Sequence, residues 1–134
     1  MVLSARDIAQ LPVSSFSDHR YGSDGWQILT TSSQTSTDSL VSGIATIGAK
    51  TGWLGHHRHL QAEIYLVISG RGTVTIDGEH HDVAAESFVY IPGDVEHGVR
   101  NESDETLVFF WCFAADDFDQ IKYKFRIDHQ YQLR

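Results

Sequence analysis

From Trp26 to Phe113 the chain alternates between short runs rich in β-branched and aromatic residues and clusters of Gly, Asp, Asn and Ser. Breaks of this kind at intervals of about ten residues are the punctuation of an all-β fold. The runs predict strands over 25–31, 39–48, 52–59, 62–69, 72–77, 80–84, 87–91, 96–100 and 105–113. Turns are expected at Gly70-Arg71-Gly72, Asp77-Gly78, Pro92-Gly93-Asp94 and Asn101-Glu102-Ser103-Asp104. Asp77-Gly78 is the clearest hairpin signal, because both residues tolerate the positive φ that a two-residue turn demands. Before residue 25 the chain is polar and irregular, except that Ser4 and Asp7 have capping-box spacing and predict a short helix ending before Pro12. The Ser/Thr-rich stretch from Thr30 to Ser39 reads as a loop or polar edge strand, and 114–121 as weakly helical within an otherwise irregular C-terminal tail. So many short strands in 134 residues predict one sandwich or barrel. The expected division is an N-terminal arm over 1–24, a barrel over about 25–113 and a C-terminal extension over 114–134.

Composition narrows the function. Apolar residues make up 41% and charged residues 21%, a globular balance, and no apolar run approaches the roughly 18 residues of a membrane helix. Ser4, Arg6, Asp7, Gln10, Ser14 and Ser15 interrupt every candidate secretory segment in residues 1–20, so a cytoplasmic location is expected. The formal charge of −8, with no two Lys or Arg residues adjacent, argues against nucleic acid or an anionic membrane surface as partner. Cys112 is the one cysteine and cannot form an internal disulfide, in keeping with a reducing compartment. Eight histidines stand out.

Three of those histidines carry the chemistry. In Gly55–Gly70, which reads GHHRHLQAEIYLVISG, strand geometry projects His57 and His59 to one face and, in the following strand, Glu63 and Tyr65 to one face. His97 opens a later strand just past the Pro-Gly turn. If the strands are neighbours, His57, His59, Glu63 and His97 form a three-nitrogen, one-oxygen set suited to one divalent ion per chain, with iron, nickel, manganese and zinc all compatible. His56 falls on the opposite face, and His80-His81 follows a hairpin turn and reads as solvated. Parity along 106–113 places Leu107, Phe109, Trp111 and Phe113 together, with Phe109 and Trp111 as candidate pocket walls and Cys112 on the other face.

The spacing H-x-H-x3-E-x6-G at His57, His59, Glu63 and Gly70, followed by H-x3-N at His97 and Asn101, resembles the two signature motifs of the cupin family. The resemblance covers about residues 40–113 and implies a small jelly-roll barrel with a metal in its mouth. Three turn positions depart from the motifs: Thr51 and Glu86 stand where glycines are usual, and the P-x-G is Pro92-Gly93-Asp94. The longer strings AEIYLVISGRG and VYIPGDVEHGVRNESDETLVFFWCFAADDFDQIKYKF are similar to the small single-domain dimethylsulfoniopropionate lyases of bacteria. That resemblance implies Tyr65 as catalytic base and Tyr123 as a second tyrosine in the pocket.

A metal so held polarises a substrate carboxylate, and a neighbouring phenolate can then remove the adjacent proton while a β substituent leaves. A sulfonium leaving group would be held by aromatic faces, for which Trp53, Trp111 and Tyr123 are candidates. Two other classes share the ligands: a different metal-dependent cupin enzyme, such as an iron dioxygenase or an isomerase or epimerase, and a small-ligand-binding cupin without turnover. A homodimer is expected, because in related small cupins an N-terminal strand pairs with the partner's sheet and 25–48 exceeds one barrel's needs.

Overall fold

The computed structural model describes the backbone of residues 1–127 and 130–133 and the side chains of residues 1–126. After the helix α1 (Ala5–Ala9) come β1 (Ser14–Asp18), β2 (Gly22–Thr30), β3 (Val41–Ile47), β4 (Gly52–Arg58), β5 (Glu63–Ser69) and β6 (Arg71–Ile76). They are followed by β7 (Glu79–Ala84), β8 (Phe88–Ile91), β9 (His97–Asn101), β10 (Leu107–Phe113), β11 (Lys124–Ile127) and β12 (Gln130–Leu133), with one 3-10 turn over Phe118–Gln120. All pairings are antiparallel and run in the order β7-β6-β9-β4-β2-β3-β10-β5-β8, with β1 on β2 and β11 on β4.

The sheet curls because β2 bridges its two halves, pairing with β4 only at Gly22 and Ser23 and with β3 from Gly25 onward. Inward residues of both halves, Leu54, Val74, Val83 and Val99 from one and Tyr65, Val67, Phe109 and Trp111 from the other, then meet in one buried cluster. This is the all-β, small jelly-roll architecture expected. Among the described residues no helix is long and apolar enough to cross a membrane.

Every predicted strand exists within a few residues. Asp77 and Gly78 both have positive φ, 49° and 82°, and close the β6–β7 hairpin with two residues. Ser4 caps α1 through Oγ, which accepts from the Asp7 amide at 3.1 Å, while the Ser4 amide donates to Asp7 Oδ2 at 2.8 Å. Residues 31–40 form a loop.

Both ends hold more regular structure than expected. In β1, Phe16 and Asp18 alternate with exposed serines, too weak an apolar pattern to read as a strand, and the pairing to β2 is what orders it. The C-terminal tail, expected to be irregular, carries β11, where Lys124 faces Arg58 and Phe125 faces His57 across the ladder. Four residues are too few to show a period; the open edge of β4 defines this strand.

The motif glycine and asparagine hold turns. Gly70 has φ of 80°, and a Cβ there would overlap the Thr106 carbonyl. Asn101 is fully buried: its amide donates to the carbonyls of Ile47 and Glu105 at 3.1 and 2.7 Å, and its Oδ1 accepts from the Ser103 amide and hydroxyl at 3.0 and 2.7 Å. The β9–β10 turn is thereby tied to β3.

Candidate metal centre and its cavity

Strand pairing brings the four candidate ligands together. His57 of β4 and His97 of β9 are direct cross-strand partners, with ring centroids 4.2 Å apart. His59, just past β4, has its ring 4.9 Å from His97, and Glu63 opens β5 opposite Phe113. None of the four is more than 4% exposed. The coordinating nitrogens of His57, His59 and His97 lie within 4.8 Å of one another, and Glu63 Oε1 stands 3.3 Å from His59 Nε2 and 3.1 Å from His97 Nε2.

Hydrogen bonds set the tautomers. The Nδ1 of His57 contacts the Gly55 carbonyl at 2.7 Å, that of His59 the Gln61 carbonyl at 2.9 Å, and that of His97 the Val95 carbonyl at 2.9 Å. A carbonyl can only accept, so each Nδ1 carries a proton and donates, and each ring turns its Nε2 inward. His57 Nε2 and His59 Nε2 are buried without a hydrogen-bond partner, the latter misaligned with Glu63 despite its proximity. His97 Nε2 stands within hydrogen-bond distance of Glu63 Oε1, but the partnerless Nε2 atoms of His57 and His59 converge on the same point, and a divalent cation there would satisfy all four groups at once. Burial, then the charges that His97 and His59 would bear, push the His57 imidazole well below its ordinary range and keep it neutral. Burial alone would raise Glu63, but its contacts with His59 and His97 hold it below the usual carboxylate range.

A cavity of about 290 Å³ adjoins this cluster at Glu63. Tyr65, Phe109, Trp111 and Tyr123 line it. Tyr123 stacks on His57 with ring centroids 4.7 Å apart and planes 9° from parallel. Burial first, then the charges of Glu63 and Asp24, raise both Tyr65 and Tyr123 well above the ordinary phenol.

Trp53 does not line the cavity and is instead 36% exposed. Uninterrupted parity from His57 would have turned it inward. The β4–β9 register slips by one residue between Leu54 and His57, however, so Leu54 and His57 both face inward and Trp53 faces out.

The sequence reading missed Phe16, Asp24, Trp26, Phe118 and Phe125 as cavity walls. Asp24, Trp26 and Ile28 share one parity of β2, a signal that was available, but Asp24 fell in the arm assigned outside the barrel. His56 lies on the opposite side, with Nδ1 3.3 Å from Glu96 and 3.0 Å from Arg126, and His80 and His81 are exposed.

Comparison with known proteins agrees with this geometry. The family model for the cupin domain matches residues 43–113. The chain is 38% identical over 125 residues to the dimethylsulfoniopropionate lyase DddW of Ruegeria pomeroyi, covering 90% of this chain and 78% of that protein. A cupin-2 domain protein of Rhodospirillum rubrum superposes with a TM-score of 0.76 at 20% identity, covering 90% of this chain and 78% of that one. A predicted oxalate decarboxylase of Thermotoga maritima gives 0.73 at 16% identity, covering 86% and 99%; at such identities the likeness is one of fold.

The buried cluster predicts a pH dependence of the metal-stripped protein. The unfolded chain protonates His57 near pH 6.5, whereas the folded chain holds it neutral to lower pH, so the unfolded state binds more protons and stability falls on acidification. His56, lowered chiefly by burial, acts with the same sign. Thermal unfolding should show a lower Tm at pH 5.5 than at pH 7.5, and a smaller difference for His57→Phe. An unchanged Tm over that interval would count against the neutral assignment.

Proposed function

The chain belongs to the cupin family, and on that premise we propose that it is a metal-dependent lyase that eliminates dimethyl sulfide from dimethylsulfoniopropionate or a closely related small carboxylate. The observation that carries the proposal is the 38% identity to the lyase DddW across 90% of the chain. The cavity supports it, since Tyr65 follows the candidate ligand Glu63 by two residues on the same face of β5 and both line the space a substrate would enter.

His57, His59, Glu63 and His97 would hold the ion, with iron, nickel, manganese and zinc all compatible with the donor set. A bound divalent ion would polarise the substrate carboxylate and favour the charged forms of both the nascent carbanion and the phenol beside it. Tyr65 Oη then takes the proton from the carbon next to the carboxylate. The electron pair of that C–H bond becomes the new C=C bond, the C–S bond breaks, and sulfur leaves with its electrons as neutral dimethyl sulfide, giving acrylate. Tyr123, stacked on His57, closes the cavity over the ligands and orients the substrate. The aromatic walls exclude water from the developing charge.

Tyr65→Phe keeps ring volume and removes the base. Its turnover is expected to fall by roughly 10²- to 10⁴-fold with metal content unchanged. Tyr123→Phe should chiefly raise KM. Headspace detection of dimethyl sulfide reads both; wild-type turnover in Tyr65→Phe would remove the base from the mechanism. A wild type that releases no dimethyl sulfide but consumes oxygen or isomerises a sugar is another kind of cupin enzyme, and one that binds small ligands without turnover is a binding cupin.

A homodimer belongs to the same proposal, although by a different surface from the one expected. Residues 22–30 and 41–47 are used within the chain's own sheet, and β1 pairs with β2. The support is the outer face at the free edge of the sheet, where Leu66 lies opposite Phe88 and Ile64 opposite Tyr90. Leu66, Ile68, Phe88 and Tyr90 are each at least 44% exposed. A second copy packed sheet to sheet would cover this apolar face. Light scattering at micromolar concentration should give twice the chain mass, and the double variant Leu66→Lys, Phe88→Lys should give one chain mass. A monomeric wild type would refute it.

A further inference from the structure

The groups at the inner end of the cavity have almost no contact with solvent. Tyr65 is 2% exposed, Glu63 is 4% exposed, and His57 is fully buried. A molecule larger than water therefore reaches them when a wall of the cavity yields, and the walls are held in two different ways.

Among the described residues that line the cavity, Phe118, Ile121 and Tyr123 are the three that lie outside strands. Their place follows from the pairing of β4. One edge of β4 is covered by β9, while the other pairs with β2 at Trp53 and Leu54. Past the bond from the Gly55 amide to the Tyr21 carbonyl, the chain turns away into the β1–β2 hairpin, and β11 takes over the edge at His57 and Arg58. Residues 114–123 carry the chain from β10 across to β11. On the way the Phe118 ring comes within 6.2 Å of Trp26 and 5.6 Å of Trp111, and Tyr123 stacks on His57.

In place of a ladder, this stretch is gripped by the first residues after β2. The Asp116 carbonyl accepts from the Ser32 amide at 2.8 Å, and the Phe118 amide donates to Thr31 Oγ1 at 3.0 Å. Asp117 Oδ2 accepts from the Ser33 amide at 2.8 Å and the Ser32 hydroxyl at 3.1 Å. Its Oδ1 accepts from the Asp119 amide at 3.0 Å, so one carboxylate both grips the loop and caps the turn that aims Phe118. The bonds from Asp119 and Ser33 hold the Asp117 carboxyl well below the usual carboxylate range and keep it an acceptor. A wall fastened by a few hydrogen bonds between two loops opens at lower cost than one built into a sheet.

We propose that residues 114–123 form a strap that opens and closes the cavity, and that Asp117 and Thr31 are its latch. In the closed form Phe118, Ile121 and Tyr123 face inward; release of the latch turns this wall out and uncovers Tyr65 and the imidazoles. The proposal concerns access and stands apart from the lyase reading.

The test needs no substrate. The chain has three tryptophans, of which Trp26 and Trp111 line the cavity and Trp53 faces out. In a Trp53→Phe background, quenching of tryptophan fluorescence by acrylamide reads how often the strap is open. Thr31→Val keeps the volume of this buried residue and removes the acceptor of the Phe118 amide, so the quenching constant should rise at least about three-fold, on the scale of one lost hydrogen bond. Thr31→Ser keeps the hydroxyl and should restore the starting value, whereas Asp117→Ala should raise quenching as Thr31→Val does. Circular dichroism should be unchanged in all three. In the wild type, hydrogen exchange should be faster at the amides of 118–123 than within β3 and β10. Quenching unchanged in both Thr31→Val and Asp117→Ala overturns the proposal. Exchange in 118–123 that is no faster than in those strands also overturns it, and that measurement requires no variant to fold.

Discussion

The structure is organised around a buried cluster of three imidazoles and one carboxylate. Three backbone carbonyls take the Nδ1 protons of His57, His59 and His97, which turns the three Nε2 atoms inward beside the Glu63 carboxylate, that of His97 within hydrogen-bond distance of it. A buried ionised group costs several kcal/mol unless it is compensated, and two acceptors 3.1 Å apart repel unless a proton or a cation lies between them. A divalent ion would resolve this conflict, and much of the local architecture holds the four groups together. The one-residue slip in β4 turns Leu54 and His57 to the same side, the β4–β9 ladder sets His57 against His97, and β11 covers the opposite edge of β4 with Phe125.

The cavity extends the same electrostatics into the space where a ligand would lie. Its aromatic walls lower the local dielectric, and Glu63 and Asp24 are the two carboxyl residues that line it among the described residues. In such surroundings Tyr65 remains a neutral phenol unless positive charge arrives, so the base, the ion and a cationic substrate would act as one electrostatic unit. On the proposed lyase reading, this coupling would let a residue with an ordinary pKa near 10 serve in proton transfer.

The parts of the fold and site that could be read from sequence are those in which local pattern and final environment coincide. The turn residues Asp77-Gly78, the Ser4–Asp7 cap and the alternation along Leu107–Phe113 each report a local constraint, and each appears in the structure as read. The convergence of His57, His59, Glu63 and His97 was readable because strand parity and motif spacing agree at these positions. Trp53 was not, because a bulge is a property of two paired strands and leaves no period in either one. The C-terminal tail was missed for a related reason, since β11 exists through the edge it completes. Asp24 shows a third failure: its parity with Trp26 is visible, but a polar residue gains significance only when a curled sheet places it in one cavity with Tyr65.

The most direct test of the acceptor cluster is elemental analysis after chelator-stripped protein is dialysed to equilibrium against a divalent transition metal at neutral pH. The account predicts one tightly held ion per wild-type chain and loss of most of it in His97→Ala, with the β-sheet signature in circular dichroism preserved. A wild type that takes up no ion, or a folded His97→Ala that retains the full complement, would contradict it.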